Sequence, residues 1–95
     1  MRTAIAFLMI LTSTAGPASA ASPDAWAEFA ADVEAKCLAL VQGELDAATV
    51  RVDPTGSERF GLALVSGMVG ETAVDRLCVM DKASGEAEIG GELPR

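Results

Sequence analysis

Histidine and tyrosine are missing from this 95-residue sequence, and aromatic residues of any kind make up only 4% of it. Without histidine the chain has no Ser-His-Asp or Cys-His nucleophile pair, no imidazole metal ligand and no near-neutral general base. With only two cysteines, it also lacks the ligands of a structural zinc site. These absences predict a protein that is not an enzyme and that binds neither a metal nor a cofactor.

Basic residues are scarce as well. Seven Lys and Arg residues stand against fourteen Asp and Glu residues, which gives a formal net charge of −7. Because proteins contact the phosphates of nucleic acids mainly through clustered Lys and Arg, we expect no nucleic-acid partner. The length allows one short domain and no more.

The only long apolar run is at the N-terminus and is too short to cross a membrane. Arg2 precedes eight apolar residues, Ala4–Leu11, whereas a membrane-spanning helix needs about 20. Ala18-Ser19-Ala20 is a small-residue cleavage pattern. The sequence therefore predicts a cleavable signal peptide over residues 1–20, cut before Ala21, and a periplasmic or secreted protein with no membrane span after cleavage. The compact leader is typical of bacterial export.

The two cysteines, Cys37 and Cys78, are predicted to form a disulfide, since disulfides persist in exported proteins. The processed chain, residues 21–95, would have six basic and fourteen acidic residues, a net charge of −8. So small a domain needs reinforcement, and closing a loop of 41 positions contributes about 4 kcal/mol in the chain-entropy model. A thioredoxin-like redox pair would need C-x-x-C spacing instead. Two free thiols are the remaining alternative.

A helix is predicted over Pro23–Gln42. Ser22 is a suitable N-cap, Pro23 suits the first helical position, and Asp24 lies where the helix dipole favours an acid. Gly43 suits a left-handed C-cap. One apolar stripe recurs at helical spacing: Trp26, Phe29, Ala30, Val33, Cys37, Leu40 and Val41.

The rest of the chain has the alternation and turn signals of strands. Asp53-Pro54-Thr55-Gly56 is typical of a type I turn, and Gly70-Glu71 suits the centre of a type II′ hairpin. The predicted strands are Thr49–Val52, Arg59–Gly67, Ala73–Asp81 and Glu86–Gly90, and we expect a loose tail over Gly91–Arg95. This pattern predicts a two-layer α+β domain at residues 21–95, with one N-terminal helix packed on a four-stranded antiparallel meander in the order α-β-β-β-β.

Strand alternation then predicts which residues share each face of the sheet. If Cys78 meets Cys37, the helix side carries Val50, Val52, Gly61, Ala63, Val65, Val74, Arg76, Met80, Ala87 and Ile89. The opposite face carries Phe60, Leu62, Leu64, Leu77 and Val79, edged by Thr49, Arg51, Asp75 and Glu88. Nothing else in the predicted fold covers these five apolar side chains.

A contiguous exposed apolar patch usually marks an interaction surface, so we expect this face to bind a second copy in a homodimer or another protein. Two alternatives stay open at this stage. A β-bulge at Gly61 or Gly67 would turn Leu62 and Leu64 toward the helix, or the C-terminal tail could fold back over the patch.

The functional prediction is a small, exported, non-enzymatic binding protein that acts through this apolar face. An alternative is an inhibitor of a secreted or cell-wall-active enzyme, such as a lysozyme-like hydrolase, that uses acidic loops such as Asp53–Glu58. A third hypothesis is an enzyme that uses a carboxylate pair, Glu86 with Glu88 or Asp53 with Glu58. Acids on predicted surfaces are more often solvated charges, which disfavours the third hypothesis.

Overall fold

The computed structural model describes residues 22–95. The predicted signal peptide, residues 1–20, and its cleavage site before Ala21 lie outside the described residues. The elements are α1 (Pro23–Leu40), β1 (Asp46–Val52), β2 (Phe60–Val69), β3 (Thr72–Asp81), β4 (Ala87–Ile89) and β5 (Leu93–Pro94). The strands pair antiparallel in the order β1-β2-β3-β4, with β5 beside β3. The predicted two-layer α+β fold is confirmed.

Helix α1 begins as predicted and ends two residues earlier than predicted. The Ser22 side chain accepts a hydrogen bond from the Ala25 backbone N–H at 3.1 Å. At the other end, the backbone N–H groups of Glu44 and Leu45 both donate to the carbonyl of Val41, and Gly43 adopts a left-handed φ of +82°. This tight turn replaces the predicted last helical residues and brings Leu45 into the core, where it is 7% exposed.

The hairpin of β2 and β3 has an uninterrupted register, from Phe60 opposite Asp81 to Val69 opposite Thr72. Its two-residue loop begins at Gly70, whose φ of +63° fits the predicted type II′ turn. The alternative of a bulge in β2 is therefore wrong. The irregularity is in β1, where the register shifts between Asp46 and Thr49.

The prediction of a loose C-terminal tail is also wrong. Strand β4 covers only the last part of the β3 edge, and β5 pairs with the part that remains, with Leu93 opposite Asp75 and Pro94 opposite Val74. The Arg95 side chain also pairs with the Asp75 carboxylate at 3.1 Å. The tail thus extends the sheet and does not fold back across the apolar face.

The core lies between α1 and the sheet, and a disulfide joins the two layers. Cys37 on α1 and Cys78 on β3 have Cα atoms 6.0 Å apart and are 0% and 1% exposed. The buried cluster consists of Val33, Cys37, Val41, Leu45, Ala63, Val65, Val74, Cys78 and Met80. A Cβ on Gly61 would lie 2.8 Å from Val33 Cγ2, so the absence of a side chain lets the helix approach β2 closely. The predicted disulfide and helix-side residues are confirmed.

One charged residue, Arg76, was predicted on the helix side, and its polar atoms have partners there. Its Nη1 pairs with the Glu44 carboxylate beyond the end of α1, and its Nε donates to the Gly90 carbonyl at 2.7 Å. The side chain is only 12% exposed. Arg76 therefore closes the rim of the core because it bridges the α1–β1 turn and the segment after β4.

Candidate functional site

The side of the sheet that faces away from α1 is apolar at its centre. Leu62 lies opposite Val79, and Leu64 lies opposite Leu77. Helix α1 packs against the other side, on the core cluster. We call this surface the open face; the apolar residues at its centre are Phe60, Leu62, Leu64, Leu77 and Val79. The structure thus brings together the five residues predicted as an interaction patch, while their role in binding stays a prediction.

Burial alternates along the two central strands and marks the two faces. Leu77 is 57% exposed, whereas the next residue, Cys78, is 1% exposed. On β2, Leu64 is half-buried by its neighbours on the sheet, and Val65 is 0% exposed. Leu77 is therefore the most exposed large apolar side chain of the open face.

A shallow depression of about 450 Å³ lies on the β1 half of the open face. It is lined mainly by Arg51, Asp53, Pro54, Leu62, Leu64 and Leu77. Arg51 is the register partner of Leu64, so its side chain shares the open face. The face therefore has a hollow beside Leu64 and a projecting side chain at Leu77.

The rim of the open face carries opposite charges on its two edges. Arg51 lies on β1 at one edge, and Glu88 lies on β4 at the other, opposite Val79. Asp75 is already paired, since the Ser66 hydroxyl donates to its carboxylate at 2.7 Å and Arg95 lies beside it. Among residues 22–95, neither Arg51 nor Glu88 has an ion pair or a side-chain hydrogen bond.

The sequence analysis missed two apolar residues on this side of the sheet: Met68, which is in phase with Leu62 and Leu64 on β2, and Leu93. Leu93 is 48% exposed and is the register partner of Asp75 on the open-face side of β3. It joins the face only because β5 pairs with β3. A single large apolar residue in an otherwise polar tail was the one signal that could have indicated it.

The acidic loop between β1 and β2 has a lysine from the neighbouring β3–β4 turn bound against it. Its Asp53 carboxylate accepts hydrogen bonds from the backbone N–H groups of Gly56 and Thr55, which hold the pKa of Asp53 below the ordinary value of 3.8. Lys82 Nζ donates to the carbonyls of Thr55 and Ser57 at 2.8 and 2.7 Å. The loop is thus tied to the β3–β4 turn and is less negative than its sequence indicates.

The carboxylates proposed as catalytic pairs do not meet in the depression. Its lining includes one carboxylate, that of Asp53, and hydrogen bonds from the backbone N–H groups of Gly56 and Thr55 lower its pKa and favour the ionised form. Glu86 and Glu88 are exposed near the opposite edge of the sheet. Within residues 22–95, no group of three or more Cys, Asp or Glu side chains is placed to hold a metal ion.

No helix in residues 22–95 has both the length and the apolar character that a membrane crossing requires. The chain matches no protein-family model, no curated protein and no solved structure. The geometry of the open face is therefore the basis for a functional proposal.

Proposed function

We propose that the protein is a non-enzymatic binding protein and that another protein surface covers the open face of its sheet. The observation that carries this proposal is the exposure of Leu77, 57% in the middle of a contiguous apolar surface. Removing a leucine side chain from water stabilises a complex by about 1.5–3 kcal/mol when the burial is complete. A patch of five such side chains thus favours association.

We also propose that the protein is exported from the cytoplasm. The disulfide between Cys37 and Cys78 is compatible with a periplasmic or extracellular location, because disulfides persist in oxidising compartments. In such a compartment the open face would meet other exported proteins or further copies of the chain.

The inhibitor hypothesis, in which an acidic loop enters the basic cleft of a secreted enzyme, has less support. The Asp53 carboxylate is used within its own loop, and Lys82 lies against the loop carbonyls. Both features reduce the negative field that such a loop could present to a cationic cleft.

Site-specific photo-crosslinking in the producing cell tests the proposal. A photoreactive residue at Thr49, on the rim of the open face beside Ser66, should form a defined protein adduct. The adduct should disappear when Leu64→Glu is added, because a charge at the centre of the face opposes burial. A photoreactive residue at Ala31, exposed on α1, is the matched control. Absence of the adduct, or its persistence with Leu64→Glu, would overturn the proposal.

A further inference from the structure

We infer that the surface that covers the open face belongs to a second copy of this chain, related by a two-fold axis that runs along the strands. This inference rests on the proposed function, since it names the occupant of the same face. Two features of the open face fit a copy of themselves about such an axis. The first is the projecting Leu77 and the depression beside Leu64, and the second is the pair of opposite charges on Arg51 and Glu88.

The axis fixes which strands meet. A two-fold axis between the two sheets, parallel to the strands and midway between β2 and β3, places β2 of each copy over β3 of its partner. It also places β1 of each copy over the β4 edge of its partner. Because Leu64 and Leu77 lie opposite each other, each copy's Leu77 then faces the partner's Leu64.

The shapes agree with this arrangement. Leu77 on β3 is the most exposed apolar side chain of the open face, at 57%. The depression of about 450 Å³ lies beside Leu64, and its lining runs from Arg51 on β1 to Leu77 itself on β3. The axis brings the projecting Leu77 of each copy over the hollow of the other, and the symmetry makes this contact twice.

The charges favour the same axis. With β1 over the partner's β4, Arg51 of each copy lies near the partner's Glu88. The two residues are offset by two positions along the strands, about 7 Å, a distance that an extended arginine side chain can span. An axis across the strands at the level of Leu64 and Leu77 would instead place β1 over β1 and Arg51 against Arg51, and such like-charge contacts oppose association. Opposite charges on opposite edges therefore select the axis along the strands.

The size of the face predicts a weak dimer. Strands β2 and β3 have ten residues each, about 34 Å, and four neighbouring strands are about 19 Å wide. Because β1 has seven residues and β4 and β5 have three and two, two such faces bury on the order of 1,000 Å², about the smallest area of a specific interface. We therefore expect a dissociation constant in the micromolar range.

Charge reversal tests the inference with exposed residues that the core does not use. Sedimentation equilibrium on the oxidised, exported protein should show that Arg51→Glu and Glu88→Arg each weaken the dimer about tenfold. The variant with both substitutions should dimerise within about threefold of the wild type, because the ion pair is restored in reversed order. Glu34→Arg on the exposed side of α1 makes the same change of charge as Glu88→Arg. It is the control for that variant and should leave the affinity of the dimer unchanged.

Mixing the two single variants is the sharpest form of this test. An equimolar mixture of Arg51→Glu and Glu88→Arg should form a heterodimer of near wild-type affinity, since both contacts between the copies then join opposite charges. If Arg51 and Glu88 paired within one chain, mixing the two variants would not restore the affinity of the dimer. Failure of the mixture to associate would overturn the inference.

The remaining outcomes separate this inference from the proposed function. A wild-type protein that stays monomeric up to about 1 mM, far above a micromolar dissociation constant, overturns the second-copy inference. In that case an adduct from position 49 to a different protein, if it depends on Leu64, still supports the proposed function. A dimer that is insensitive to Leu64→Glu contradicts both.

Discussion

Leu77 and Cys78 are consecutive residues of β3, yet Leu77 is 57% exposed and Cys78 is 1% exposed and bonded to Cys37. The disulfide fixes which side of β3 faces α1, and the two-residue period of the strand then fixes the other side. A shift of one residue would exchange the faces, and the cross-link to Cys37 opposes that shift. The same bond that stabilises the core thus determines that Leu77 faces outward.

Removing the disulfide is expected to destabilise the domain strongly. The variant Cys37→Ala/Cys78→Ala should lose about 4 kcal/mol of unfolding free energy, because the unfolded chain is no longer closed into a loop of 41 positions. Urea denaturation followed by circular dichroism measures the loss. The reduced wild-type protein serves as the comparison and should show a similar loss. Equal stability of variant and oxidised wild type would mean that the bond is not structurally important.

The close approach of α1 to β2 predicts that Gly61 does not tolerate a side chain. In Gly61→Ala the new Cβ would lie 2.8 Å from Val33 Cγ2 and 3.0 Å from Phe29 Cζ. Such overpacking costs about 1–3 kcal/mol, which a urea denaturation curve resolves. Gly91→Ala is the control, since a Cβ at Gly91 has no atom within 4 Å, and it should unfold like the wild type. Equal stability of the two variants would contradict the described packing.

The domain is expected to lose stability in acid because of two aspartates in turns, Asp53 and Asp81. Backbone N–H groups of Gly56 and Thr55 lower the pKa of Asp53, and those of Ser84 and Ala83 lower the pKa of Asp81, both from an ordinary 3.8. A carboxylate with a lowered pKa in the folded state contributes stability above pH 3.8, and this contribution is lost as the pH falls through the lowered value.

The measurement is the urea midpoint as a function of pH, from neutral pH to below 3.8. The wild-type midpoint should fall in the acid range, and the variant Asp53→Asn/Asp81→Asn should show a shallower fall. Asparagine keeps a side-chain oxygen that can accept the turn hydrogen bonds but does not titrate there. An unchanged acid slope in the variant would show that these two turns do not contribute to it.

Much of this fold follows from local patterns in the sequence. Ser22 and Pro23 predicted the start of α1, and Gly70 predicted the central hairpin, because each of these signals acts within a few residues. The five residues of the open face followed from strand alternation and the position of Cys78. The helix start and the hairpin required no knowledge of distant contacts, and the open face required one, the predicted pairing of Cys78 with Cys37.

The parts of the fold that differ from the prediction made from the sequence depend on tertiary contacts. β5 forms because β4 leaves part of the β3 edge unpaired and because Arg95 reaches Asp75, and neither condition is visible in a two-residue segment. α1 ends at Leu40 because the following turn places Leu45 in the core. The depression beside Leu64 could not be predicted either, because it is formed where β1 and the following loop meet β2 and β3.

The most direct test of the central claim is the solution mass of the oxidised, exported protein, measured by light scattering over a range of concentrations. The account predicts a mass that rises from monomer to dimer at micromolar concentrations. It also predicts that Leu64→Glu and Leu77→Glu stay monomeric with an unchanged circular dichroism spectrum, while Ala31→Glu on α1 behaves as the wild type. A wild-type protein that remains monomeric throughout, or a folded Leu77→Glu variant that still dimerises, would contradict it.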